Sequence, residues 1–175
     1  MVRISGLVAA ASLLAAPAFA GDAKCFWNAA PETVRTAFLA KAASGLPGQD
    51  DFVAVAGAVS ADTILKQCGV TDANSDAAAA AFDGYLVEVA ATRRLETLKI
   101  ATGERLDAAW MSMDPAMRQG FLDSAAVNGA ADQHAIADFV RHAGLSDADL
   151  QGPGGPSLIA YITGRAQRAA GEAKF

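Results

Sequence analysis

The chain has 175 residues, and its 14 Lys/Arg against 19 Asp/Glu leave a formal net charge of −5. An acidic balance of this kind excludes binding to nucleic acid or anionic lipid through general electrostatic attraction. The 53 % hydrophobic content does not mark a membrane protein, because about a quarter of the chain is alanine, the best helix former and a residue that buries little area.

The first 20 residues read as a secretory signal peptide. Arg3 supplies the positive start, Ile4 to Ala16 the apolar stretch, and Ala18-Phe19-Ala20 a small-x-small cleavage site. The apolar run of about 13 residues is short of the roughly 20 that span a bilayer. Cleavage is expected after Ala20, and Cys25 lies too far beyond it to be a lipoprotein cysteine. Arg3 is the only charged residue removed, so the mature chain 21–175 carries −6 and is expected to be a single helical domain, periplasmic or secreted. In an exported chain the two cysteines, Cys25 and Cys68, are expected to pair.

Along the mature chain the pattern is helical throughout. Cys25-Phe26-Trp27 precede a helix opened by Pro31 and Glu32, whose Val34, Ala37, Phe38 and Ala42 recur at helical spacing. Gly45-Leu46-Pro47-Gly48 is a loop, and a helix from about Asp50 is expected to break near Ser60. A long helix follows from Asn74 or Ser75, with an inward stripe of Phe82, Tyr85, Leu86 and Val89; Gly103 is a candidate for its end. Leu106, Ala109, Trp110 and Met113 continue the helical pattern. Asp114-Pro115 is a new N-cap with proline at N1, followed by Met117, Phe121 and Leu122, and Asn128-Gly129 is a turn. Ile136, Phe139, Val140 and Ala143 face inward on the next helix, 151–156 reads as the most flexible internal loop, and a last helix begins at Pro156 or Ser157.

Two stretches echo each other: Ile64-Leu65-Lys66-Gln67-Cys68-Gly69-Val70-Thr71-Asp72 and Phe139-Val140-Arg141-His142-Ala143-Gly144-Leu145-Ser146-Asp147. Each reads as a helix end with a left-handed glycine, an apolar residue folding back, and Thr71 or Ser146 as the next N-cap. Trp27, Arg35, Phe38 and Leu39 recur as Trp110, Arg118, Phe121 and Leu122 at a constant shift of 83. The expected architecture is therefore all-α: a compact bundle of about six to eight helices, built from two degenerate three-helix repeats at about 25–102 and 108–172. In register, Cys25 maps to Ala108 and Cys68 to Ala143, so these alanines should nearly touch.

Chemistry is sparse. His134, Asp138 and His142 stand four residues apart, a stripe expected on the solvent face that would need a further ligand to close around a divalent metal. Trp27, Phe38, Trp110 and Phe121 are aromatics of core spacing that would line a pocket if the seam between the repeats were hollow. Arg35 and Arg118 are expected to lay their stems along a helix and pair with an acid. Arg93, Arg94, Lys99 and Arg105 form a basic group expected on a solvated face, or as a docking patch for an acidic partner. No nucleophile motif, phosphate loop or haem motif is present, so no catalytic residue and no cofactor is assigned. The expectation is an exported non-catalytic module that meets a protein partner in the cell envelope and binds no nucleic acid; the alternatives are a small-ligand or metal-binding protein, or an enzyme of unfamiliar helical type.

The Cys25–Cys68 pair closes a loop of about 44 residues. Loop-closure entropy for that length is roughly 4 kcal/mol. Cys25→Ala should therefore lower unfolding free energy by a few kcal/mol while leaving the helical circular dichroism intact; equal melting in oxidising and reducing buffer would contradict the clasp.

Overall fold

The computed structural model describes residues 21–126 and 133–175, which form ten α-helices. The expected signal peptide, residues 1–20, and the expected Asn128-Gly129 turn lie outside the described residues. The helices are α1 (Lys24–Ala29), α2 (Glu32–Ser44), α3 (Gln49–Gly57), α4 (Ala61–Gln67), α5 (Ser75–Thr97), α6 (Gly103–Ser112), α7 (Pro115–Ala126), α8 (Gln133–His142), α9 (Asp147–Gln151) and α10 (Gly155–Glu172). The all-α expectation holds, with more and shorter helices than the six to eight read from the pattern. Ser60 caps α4 by accepting from Thr63 N, which is the break expected there. Asp114 caps α7, its Oδ1 accepting from the N–H groups of Ala116 and Met117.

The long helices α5 and α10 form the centre. Gly171 packs on Ala81, Gly164 on Glu88 and Gly84 on Arg168, so the pair runs antiparallel. A Cβ on Gly164 would sit 2.7 Å from both Glu88 N and Gly84 O, and one on Gly84 would strike the Arg168 backbone. Glycine is required at both positions because backbone meets backbone there. One apolar cluster lies to each side. Phe26, Phe38, Val55 and Cys68 pack with Phe82 and Leu86 of α5. Leu106, Trp110, Phe121 and Phe139 pack with Leu158, Tyr161 and Ile162 of α10. Cys25 and Cys68 form the expected disulfide, with Cα atoms 5.6 Å apart, tying α1 to the end of α4.

Both corner glycines are left-handed, Gly69 at φ 71° and Gly144 at φ 61°. The second corner is a full Schellman turn: Leu145 N donates to Val140 O and Gly144 N to Arg141 O, and Ser146 then caps α9 in a capping box with Asp149. The first corner differs from expectation. Thr71 is not an N-cap; its N–H and hydroxyl both donate to Asn74 Oδ1, and α5 starts after Asn74.

Two boundaries also differ, for physical reasons. Gly103 begins α6 rather than ending α5, because α5 closes earlier in a Schellman turn with Lys99 in the left-handed position (φ 58°). There Lys99 N donates to Glu96 O and Ile100 N to Leu95 O. With lysine where glycine is usual, the stop is silent in the sequence. The 151–156 stretch is not a loose loop: Gly154 and Gly155 are buried, packed against Ile100 and against the Leu150 carbonyl, and α10 already starts at Gly155.

The division into two repeats is not confirmed. The aromatic pairs match, with ring centroids 5.8 Å apart for Trp27–Phe38 and 5.9 Å for Trp110–Phe121. The clasp does not: Cys25, Cys68 and Ala143 are buried but Ala108 is exposed, and Ala109 is the residue α6 turns inward.

Gly84→Ala should cost about 1–3 kcal/mol of unfolding free energy, because the new methyl meets backbone that cannot step aside. Gly120→Ala, in the middle of α7 with nothing within 4 Å of the new Cβ, should gain about 0.5–1 kcal/mol. Urea denaturation of the two variants checks the contrast; equal effects would mean α5 and α10 are not in backbone contact.

Candidate functional site

Where α5 and α10 touch, each glycine is followed one turn later by a charged residue: Gly84 by Glu88 and Gly164 by Arg168. The close approach buries both, leaving Glu88 7 % and Arg168 8 % exposed. Buried charges require partners, and these have them. Arg168 Nη1 lies 3.4 and 3.3 Å from the two Glu88 oxygens, and Arg165 Nη1 donates to Glu88 Oε1 at 2.9 Å. Arg165 also reaches Asp107 Oδ1 at 3.4 Å, and the same oxygen accepts from the Tyr161 hydroxyl at 3.0 Å. At the other end Arg168 Nε donates to Glu172 Oε1 at 2.8 Å, which also accepts from Ala23 N, and Arg168 Nη2 stands 3.7 Å from Asp22 Oδ1. The Arg168 guanidinium lies over the Tyr85 ring, 5.0 Å from its centroid.

This string of polar groups floors an open cleft of about 650 Å³ bounded by α1, α2, α5, α6 and α10. Its walls include Leu39, Val89 and Thr92, and its rim carries Lys24, Arg93 and Glu96. Burial holds the Glu88 carboxyl above its ordinary range, with Arg165 and Arg168 pulling the other way. Burial also pushes the Tyr85 phenol up to about 12, and raises Tyr161 further, helped by the neighbouring Asp107 and Glu88 carboxylates. Arg168 is held more firmly protonated by Glu172 and Glu88 despite its desolvation. Both phenols therefore stay neutral at physiological pH, and Tyr161 acts as a hydrogen-bond donor.

The residues expected from sequence fall elsewhere. His134 and His142 are exposed on α8, as expected, but Asp138 between them is buried, 7 % exposed. Asp138 Oδ1 accepts from Arg141 at 2.8 Å, and Oδ2 stands 3.5 Å from His142 Nε2 without a hydrogen bond. Among the described residues no group of three metal-capable side chains converges. The four aromatics belong to two separate clusters: Trp27 and Phe38 pack with Phe52 and Tyr85, Trp110 and Phe121 with the α6–α8 core.

The arginines also depart from expectation, because carbonyls and not acids take several of them. Arg118 reaches the carbonyls of Trp110 and Met111 at the end of α6, Arg94 that of Ala43 at the end of α2, and Arg105 those of Ala143 and Gly144 at the end of α8. Helix C-termini carry orphan acceptors and partial negative charge, so cations settle there. Arg35 makes no ion pair among the described residues, and its buried Nε has no hydrogen bond. Glu88, Asp107, Arg165 and Arg168 were not singled out by sequence. Their one available signal was a glycine inside a helical stripe with a charge one turn on, a mark of close helix approach.

Arg168→Met should destabilise the chain by about 3–5 kcal/mol at neutral pH, since it strips a partner from the buried Glu88. A raised folded-state pKa means that the Glu88 carboxyl supports folding below its unfolded-state pKa and loses that support as pH rises through the folded value. The variant's deficit should therefore shrink in acid, where a protonated Glu88 needs no cation; a deficit that grows on acidification, followed by urea unfolding from pH 7 to 4, would contradict this. Comparison with protein-family models, with curated proteins and with solved structures found no match to this chain, so the site's geometry alone must carry its functional reading.

Proposed function

We propose that this chain is an exported, non-catalytic interaction module of the cell envelope, with the α2/α5/α6/α10 cleft as its contact surface. In this reading residues 1–20 are removed after Ala20, and residues 21–175 act as one domain in the periplasm or outside the cell, its halves descended from a duplicated three-helix unit. The carrying observation is the state of the charges in the cleft. Both oxygens of Glu88 are engaged by arginines, and Asp107 Oδ1 by Tyr161 and Arg165. A general acid or base needs a proton or lone pair directed at its substrate. Groups that satisfy one another provide a pre-formed charged floor, which suits recognition better than turnover. The disulfide fits an oxidising compartment. No helix among the described residues is long and apolar enough to cross a membrane.

A cleft of about 650 Å³ is also of the size that holds a small organic ligand, and this favours a second reading, a small-ligand-binding protein using the same surface. Photo-crosslinking separates the two. A crosslinking residue at Leu39 or Thr92, inside the cleft, should capture one envelope protein that the same group at Met111, exposed and outside the cleft, does not. Capture at neither position, with a melting temperature raised by small organic anions, would favour the second reading; neither capture nor shift would remove both.

A further inference from the structure

The face of α5 turned away from the cleft has a different character. Tyr85, Glu88, Val89 and Thr92 line the cleft, whereas Asp83 and Val87 stand about half a helical turn round and line a second groove with Gln49, Phe52, Val53 and Ala56 of α3. That groove encloses about 440 Å³. Val53 is 61 % exposed in it, beside the half-buried Phe52 that packs against the α5 cluster. Asp83 is its one charged lining residue, and no hydrogen bond or ion pair reaches that carboxylate among the described residues. This contrasts with the acids of the cleft floor and with Asp51, which stands 4.0 Å from Lys41. Asp83 stays exposed to solvent, but its apolar neighbours remove part of its hydration and hold its carboxyl above the ordinary range, and no cation offsets them.

We propose that the α3/α5 groove is a docking site for a partner polypeptide that inserts a lysine or arginine, flanked by apolar side chains, against Asp83. The charge sets the sign of the occupant: a carboxylate in an apolar groove of a net-negative chain attracts a cation and repels an anion. The groove sets its form. A lysine or arginine has an apolar stem that would cover Phe52, Val53 and Val87 while its head meets Asp83. Neighbouring apolar side chains of the same segment would cover Val53 and Ala56 and exclude water from the pair, where a charge-assisted contact is strongest. This site is independent of the cleft, and either reading can fail without the other.

The test is an NMR titration of the full mature chain with an amidated peptide of about a dozen leucine, alanine and glutamine residues carrying one central lysine. Versions with norleucine or glutamate at the centre are the controls. The lysine peptide should move the backbone signals of Phe52, Val53, Ala56, Asp83 and Val87 and bind roughly fivefold more tightly than the norleucine peptide. The glutamate peptide should bind more weakly than both. Asp83→Asn should abolish the lysine preference with the melting temperature unchanged or raised, and Val53→Ser should weaken lysine and norleucine peptides alike. A lysine preference that survives in Asp83→Asn, signals that move elsewhere, or no preference at all would overturn the proposal. So would n-hexylammonium binding as tightly as the lysine peptide, which would mark a site for a free amine.

Discussion

Backbone contact between α5 and α10 is the constraint that the rest of the structure obeys. Gly84 and Gly164 let the two helices meet without side chains between them. Helices that close leave no room for Glu88 and Arg168 to turn to solvent, so these charges must find each other in the interface. The pairing then spreads outward. Arg165 is drawn onto Glu88 and Asp107, Tyr161 onto Asp107, and Arg168 onto Glu172. Through Asp22 and Ala23 the same network holds the segment before α1 to the end of α10. One packing decision thus places the polar floor of the cleft and ties Asp22 and Ala23 to the last helix.

Apolar packing is divided where polar packing is continuous. One cluster gathers around α5 with the disulfide, the other around α10 without one. Each contains a Trp–Phe pair at nearly the same separation, yet only one carries a covalent clasp. The side without the clasp is instead tied at α8 by Arg105, which donates to the Ala143 and Gly144 carbonyls at the corner, and by the stacking of Phe139 on Tyr161. Arginine on helix C-termini recurs at α2 and α6, so much of the basic charge that looks like a surface patch in the sequence is spent on helix ends.

Local physics was legible where a residue has one dominant conformational role. Gly69 and Gly144 terminate helices because left-handed backbone favours a residue without Cβ, and Asp114-Pro115 starts one because an acceptor and a fixed φ suit a first turn. Legibility failed where a neighbour overrode that role. Lys99 takes the left-handed position in a turn where Ile100 packs beside Gly154 and its N–H bonds back to the Leu95 carbonyl. Thr71 loses the cap because Asn74 folds back onto it. Gly154 and Gly155 look like a loop in sequence, but their missing side chains serve close packing. The stripe of His134, Asp138 and His142 shows the same limit. Periodicity put all three on the solvent face, and contacts with the rest of the fold cover Asp138 alone.

By itself the sequence determined the all-helical class, the Cys25–Cys68 pairing, the corner glycines and most helix starts, because each depends on residues near in the chain or on there being only one partner to choose. Tertiary structure alone decided which charges are buried and which are solvated. Glu88 and Arg168 come from two helices far apart in the chain, and nothing along it distinguishes them from the acids and arginines left on the surface. What distinguishes them is desolvation, and desolvation depends on which helices meet and how closely.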